Sequence, residues 1–269
     1  MTIEYRVVDD PAELKEIVAL EALVWSMPLS QTVPDNLLSA IIHGGGVVIR
    51  ADSDGELVGF TMGMVTLREQ EPVLWSHTAG VLPSRQGQGI GFGLKQTQRR
   101  WALDQGFKII AWTYDPMQRG NANFNLCLLK GVTNTHHINF YGEMVDGINK
   151  GMPSDRFEIT WNLMDEAVAA AADGASPKRT VDDYPREAFL LFSDENGNPQ
   201  VRLPSAWTSQ WHFIEIPFQL AALKRDNIER AKAWQLALRE AARGAFANGY
   251  QALDFTDDGQ RCWYVLKKL

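Results

Sequence analysis

Apolar and polar positions alternate like a strand over residues 73–81 and then recur like a helix from residue 90, and a glycine-rich turn separates the two periods. Val73, Trp75, His77, Ala79 and Val81 take every second position, which predicts a strand carrying all five on one face. Ile90, Leu94, Thr97 and Trp101 fall on one helical stripe. Upstream, the same reading predicts a strand at 4–8, helices at 11–25 and 34–42, and a strand at 47–51. A turn at 52–55 and a long strand at 57–65 follow. Downstream, residues 108–116 read as a strand and 121–131 as a helix.

The rest of the chain repeats these signals. Residues 188–192 and 200–203 flank a turn-rich segment at 194–199, which predicts a hairpin, and 211–216 makes another strand. A helix is expected from Asp226, which with Glu229 forms a D-x-x-E variant of the capping box. Ile228, Ala231, Trp234, Leu238, Ala241, Ala245 and Phe246 keep its period up to Asn248-Gly249. Strands at 250–255 and 261–266 close the pattern. The small and polar residues after Glu166 suggest a linker or connecting helix. The organisation expected is therefore a domain over 1–165, a linker over 166–182 and a smaller α/β domain over 183–269. The fold class is α/β (α+β), a mixed central sheet flanked by helices.

A chain of 269 residues with 45% hydrophobic residues can bury a substantial core. Its net charge of −7 and lack of a basic stripe argue against nucleic acid as a partner. Cys127 and Cys262 stand far apart without metal-ligand spacing, which predicts neither a disulfide framework nor a zinc site and fits a reducing compartment. The adjacent His136-His137 finds no third ligand at zinc spacing, so no metal is expected. No apolar leader or membrane-length run occurs in the sequence, and the expectation is a cytoplasmic protein with no membrane partner.

The glycine turn carries the chemistry. The first turn of a helix leaves backbone N–H groups without intrahelical partners, and the aligned peptide dipoles favour an anion there. Gly87, Gly89 and Gly91 allow close main-chain approach and a left-handed turn, while Arg85, Gln86 and Gln88 add a cation and amides at the rim. A dinucleotide fingerprint fails on spacing, because Phe92 or Leu94 stands where the third glycine belongs. A Walker A loop fails for want of Gly-Lys-Ser/Thr. What is left is a phosphate cradle of another type or a helix start that merely tolerates glycines, and several glycines at a helix N-terminus are destabilising unless something uses them.

The stretch Gln86-Gly-Gln-Gly89-Ile-Gly91 is similar to the Q/R-x-x-G-x-G/A motif of the GNAT superfamily of acyl-CoA-dependent N-acyltransferases, and the order of elements around it agrees. The resemblance implies a GNAT-like mixed sheet and an acyl-CoA co-substrate, acetyl-CoA or another. Gly80, Val81, Arg85, Gln86, Gly87, Gln88, Gly89, Ile90 and Gly91 would bind it, with Asn121 and Asn123 at the pantetheine. Capping of the helix start is the equal alternative for those two asparagines. A narrower resemblance, carried by Ser76-His77, Trp112-Thr-Tyr-Asp-Pro116, Asn121-Ala-Asn-Phe-Asn125, Asn139-Phe-Tyr-Gly142 and Pro153-Ser-Asp-Arg156, is to a branch of GNAT proteins about this long. Some of its members are associated with N-acylamino acid racemases and N-succinylate amino acids, which implies an amino-acid acceptor.

In that family an amine attacks the thioester directly. The base is often a glutamate four residues before the valine that ends the loop-bearing strand, and His77 holds that position here. Histidine can take the proton near neutral pH, directly or through one water. A backbone N–H at Gly80 or Val81 is expected to meet the oxyanion. The usual acid, a tyrosine four residues before a glycine, is replaced by Cys127 ahead of Gly131, and Tyr141 is the preferred substitute, with Tyr114 behind it. Trp112 could border the acyl pocket. Arg156 could clamp a carboxylate or pair with Asp155 or Glu158. Two function classes stay open: an N-acyltransferase acting on a small-molecule amine, or an acyl-CoA-binding or regulatory module with a GNAT fold and no turnover. The second domain would close the site, make a homodimer, or be a degenerate GNAT-like module.

Overall fold

A computed structural model describes residues 2–142, 151–172, 181 and 185–269. The described residues segregate into two compact units, one running to Trp112 and including Asn162–Asp165, the other comprising Thr113–Trp161 and Glu166–Leu269. Of the expected linker, Glu166–Ala171 is helical, while residues 173–180 and 182, and 183–184 beyond it, lie outside the described residues.

The first unit is built on strands β1 (Ile3–Val7), β2 (Val47–Ser53), β3 (Glu56–Arg68), β4 (Glu71–Val81) and β5 (Ile109–Tyr114), which belongs to it up to Trp112. They lie side by side in that order. β1 to β4 are antiparallel neighbours, and β4 and β5 run parallel. The β2–β3 turn works because Asp54 and Gly55 both take positive φ, 51° and 86°, the geometry a two-residue hairpin requires.

Helix α1 (Leu14–Trp25) follows a single 3-10 turn, Pro11–Glu13, so the expected helix from residue 11 starts as the tighter form. Asp10 caps that turn by accepting from Ala12 N at 2.8 Å, and Ser26 at φ 51° stops α1. Its residues Leu14, Ile17 and Leu20 pack with Leu38 of α2 (Asp35–His43) and with Val48, Phe60 and Met62 of the sheet. Burying side chains of this size contributes about 2 kcal/mol each. Helix α3 (Ile90–Asp104) covers the opposite face, where Ile90 and Leu94 crowd Gly59 of β3.

The second unit holds the short α4 (Arg119–Ala122), β6 (Val132–His137), β7 (Arg156–Asn162), α5 (Glu166–Ala171), β8 (Phe189–Ser193) and β9 (Pro199–Val201). β10 (Trp211–Ile216), α6 (Leu220–Asp226), α7 (Ile228–Ala247), β11 (Tyr250–Asp257) and β12 (Cys262–Lys268) complete it. Its strands lie in the order β7-β6-β11-β12-β10-β8-β9, and only β8 with β10 is recorded as parallel among these pairs. The expected cap at Asp226 is corrected. Asp226 ends α6, the backbone breaks at Asn227 (φ −156°), and the Asn227 side chain caps α7 by accepting from Arg230 N at 2.9 Å. The sequence pattern missed α6, β6 and β7.

Candidate active site

The decisive geometry of the first unit is an interruption in β4. Met62 faces Thr78 and Gly63 faces Ser76, so His77 is an extra residue, a β-bulge. The expectation that residues 73, 75, 77, 79 and 81 share one face is therefore corrected. The bulge shifts the phase, placing Ala79 and Val81 on the face of Leu74 and Ser76, towards α3, while Gly80 turns to Trp25 of α1. The parallel pairing of β4 with β5 is recorded at Leu74–Ile110 and Trp75–Ala111 and, among the described residues, goes no further, so the two strands diverge just ahead of the bulge. His77 is exposed beside this fork, and desolvation by its surroundings lowers its pKa from 6.5.

The glycine turn leaves β4 through a 3-10 turn, Pro83–Arg85, and enters α3. Gly87 and Gly89 sit at φ 76° and 80°, and nothing lies within 4 Å of where a Cβ would project from either. The left-handed backbone, not crowding, demands glycine there. Gly89 is the N-cap and offers no side chain, so no side-chain acceptor caps the first turn of α3. Gln86 Nε2 donates to Val81 O at 3.2 Å and Gln88 Nε2 to Ser84 O at 3.4 Å, so these amides brace the loop in this structure. Gly91 and Ile90 form the first helical residues, with Ile90 buried. Gly93 serves packing instead, since a Cβ there would lie 2.2 Å from the Tyr5 ring of β1.

Sequence reasoning missed a buried lysine. Lys95, 3% exposed, donates from Nζ to Ser76 Oγ at 2.8 Å and to Gln98 Oε1 at 3.1 Å, and lies 3.7 Å from the centre of the Trp112 ring. Burial drives its pKa down from 10.5 to about 7. The signal was present: Gly91, Lys95, Gln98 and Ala102 recur at heptad-like spacing, and an amphipathic reading assigns polar members of such a row to the outside.

The other candidates belong to the second unit. Asn121 lies inside α4 and Asn123 begins the π-helical turn Asn123–Leu128, so neither takes the N-cap, which is Gln118. The helix expected at 121–131 thus starts two residues early and widens to i→i+5 bonding, with Leu129 N donating to Phe124 O at 3.0 Å. Cys127 Sγ lies 2.9 Å from Phe255 O and 3.1 Å from Asp254 Oδ1. Burial first, then the Asp254 charge, pushes the thiol up to about 12. Tyr141 is 44% exposed, with its hydroxyl 3.2 Å from Thr113 Oγ1 and its ring 5.4 Å from the Arg156 guanidinium carbon. Asp155 pairs with Arg239 and His136, and Glu158 with His137. Arg156 itself donates to the Asp155 carbonyl at 2.8 Å. The Tyr114 hydroxyl meets that of Tyr264 at 3.2 Å and is buried.

The acetyltransferase (GNAT) family model matches residues 14–124, the stretch that holds this loop and fork. These residues form a GNAT acetyltransferase domain. Solved structures of similar fold include an N-acetyltransferase from Staphylococcus aureus Mu50, 14% identical with TM-score 0.50, covering 61% of this chain and 99% of that one. Another is yncA from Salmonella typhimurium, solved with its cofactor acetyl-CoA, 14% identical with TM-score 0.50, covering 67% of this chain and 100% of that one. No curated protein matches the chain. The GNAT domain holds the whole glycine turn, the bulged strand and Lys95. No helix among the described residues is long and apolar enough to cross a membrane.

Proposed function

We propose that the GNAT domain transfers an acyl group, acetyl or succinyl, from coenzyme A to the amine of a small molecule, with an amino acid as the acceptor class. The observation that carries this reading is the uncapped N-terminus of α3 behind two left-handed glycines at the end of β4. The N–H groups of an uncapped first turn and the helix dipole favour a pyrophosphate there, and open space at Gly87 and Gly89 admits it. Gln86, Gln88, Ile90 and Gly91 shape the cradle, with Arg85 at its rim.

The amine nitrogen attacks the thioester carbonyl carbon, the C–S bond breaks, and the sulfur leaves as thiolate and takes a proton. His77 is the proposed base: the bulge sets it apart from the ladder, and its depressed pKa keeps the ring neutral and able to accept a proton at pH 7. For the oxyanion, backbone direction favours Val81 over Gly80. Leu82 N donates to Val58 O at 2.9 Å, so in an antiparallel ladder the N–H groups of Leu82 and Gly80 face β3 and that of Val81 faces away from it. Tyr141 is the proposed acid towards the leaving sulfur, and Asn121 and Asn123 the proposed pantetheine contacts.

The test is coenzyme A thiol release from acetyl-CoA and from succinyl-CoA against a panel of L- and D-amino acids and simple amines, with His77→Ala alongside. Acceptor-dependent release that collapses in the variant supports transfer and its base. Acyl-CoA binding with no release across the panel shifts the assignment to a binding module.

A further inference from the structure

The second unit contains a cavity of about 330 Å³ along its parallel strands β8 and β10, lined at the start of β8 by Phe189, distant in sequence from the glycine turn and used by no step of the proposed transfer. Phe192 and Ser193 come from the end of β8, Glu215 from β10, and Trp263 from β12, where it pairs with Glu215 across the ladder. Three arginines complete the wall: Arg186, Arg202 and Arg261. This volume suits a small molecule.

The charge balance of the wall is unusual for so acidic a chain. Three guanidiniums face one carboxylate, and Glu215, 5% exposed, is already engaged by Ser193, whose N–H donates to Oε2 at 3.1 Å and whose hydroxyl donates to Oε1 at 2.8 Å. Arg202 gives Nη1 to the Arg186 carbonyl at 3.1 Å and lies 4.6 Å from the centre of the Phe192 ring. Arg261 pairs with Asp258 at 3.2 Å and lies 5.1 Å from the centre of the Trp263 ring. The Arg186 side chain has no ion pair or hydrogen bond among the described residues. The stacked Arg202 guanidinium keeps its remaining donors for a planar acceptor.

An independent observation also points to a ligand. Trp263 is 1% exposed, and its buried Nε1–H finds no acceptor among the described residues. A buried donor without a partner is costly, and folded proteins rarely leave one unexplained. We infer that this cavity binds a small anion, carboxylate or phosphate, borne on a flat ring that packs beside Phe192, with Arg186 and Arg202 as its charge clamp.

The experiment follows the Trp263 indole Nε1–H cross-peak of the full chain by 15N-correlated NMR, the peak being identified by its loss in Trp263→Phe. Benzoate, phenyl phosphate, inorganic phosphate and benzyl alcohol are each titrated. Expected is a saturable shift with benzoate or phenyl phosphate, the tighter of the two naming the anion, at least 10-fold tighter than inorganic phosphate, and weakened 10-fold or more in Arg186→Gln and in Arg202→Gln. Circular dichroism checks that both variants stay folded. No saturable shift with either aryl anion at 10 mM, an equal response to benzyl alcohol, or affinity unchanged in both folded arginine variants overturns the inference.

Discussion

Lys95 Nζ lies 3.7 Å from the centre of the Trp112 ring and donates to Ser76 Oγ at 2.8 Å, and Ser76 and Trp112 are the residues that directly follow the last paired positions of β4 and β5. One amine thus sits at the root of the fork and touches both strands where they diverge. Its burial makes the fork responsive to protonation.

The first prediction concerns that amine. The Lys95 pKa falls from 10.5 to about 7 on folding, so between those values the unfolded chain binds the extra proton and stability rises with pH. This group alone should add about 2 kcal/mol between pH 7 and 9. Denaturant unfolding of wild type and Lys95→Met at both pH values measures it. An equal pH dependence in the two proteins would show that the lysine is solvated in the native state.

The second concerns His77. Its pKa lies below 6.5, so as the base it should be active throughout neutral pH and lose activity only as pH falls through the depressed value. The acid limb of kcat/KM should therefore sit below pH 6.5. His77→Gln should remove that limb and lower kcat by roughly 10²- to 10⁴-fold, the usual range for a general base. A limb that survives the substitution assigns the base elsewhere.

The third concerns Gly93, which resembles the loop glycines in sequence and differs from them in physics. Gly89→Ala meets open space and pays for the left-handed backbone, roughly 1–2 kcal/mol, while α3 keeps its place. Gly93→Ala drives a methyl into Tyr5, and overpacking of that kind costs roughly 1–3 kcal/mol. Tyr5→Ala should restore stability to Gly93→Ala and do nothing for Gly89→Ala. Thermal unfolding of the single and double variants decides the matter.

These residues also show where the fold was legible. The strand, glycine turn and helix could be read because each has its own periodicity, and the loop glycines because positive φ selects them. The bulge could not be read: an extra residue leaves local alternation intact and is defined only by the register against β3. Lys95 was hidden because polarity normally marks an outer face, and its partners Ser76 and Trp112 arrive from two other strands. Strands β6 and β7 went unseen since polar residues dominate Val132–His137 and the pairing that defines it is long-range. Asn227 was passed over for Asp226 because both suit an N-cap, and only the backbone break distinguishes them.

The last prediction concerns the leaving sulfur. Cys127 occupies the position where the family often places its acid, but burial and Asp254 hold its thiol at about 12. Giving a proton from such a group to an ordinary thiolate with pKa near 8.5 is uphill by roughly 5 kcal/mol, which disqualifies it as an efficient acid. Its hydrogen-bond contacts with Phe255 O and Asp254 account for the residue as a structural one. Cys127→Ala should leave kcat within about 3-fold of wild type, whereas Tyr141→Phe should lower it by roughly 10²-fold if the phenol supplies the proton. The folded thiol titrates later than the unfolded one, so Cys127 should also make stability fall as pH rises from 9 towards 12, and Cys127→Ala should flatten that decline. Rates that drop in Cys127→Ala and hold in Tyr141→Phe would reverse the assignment.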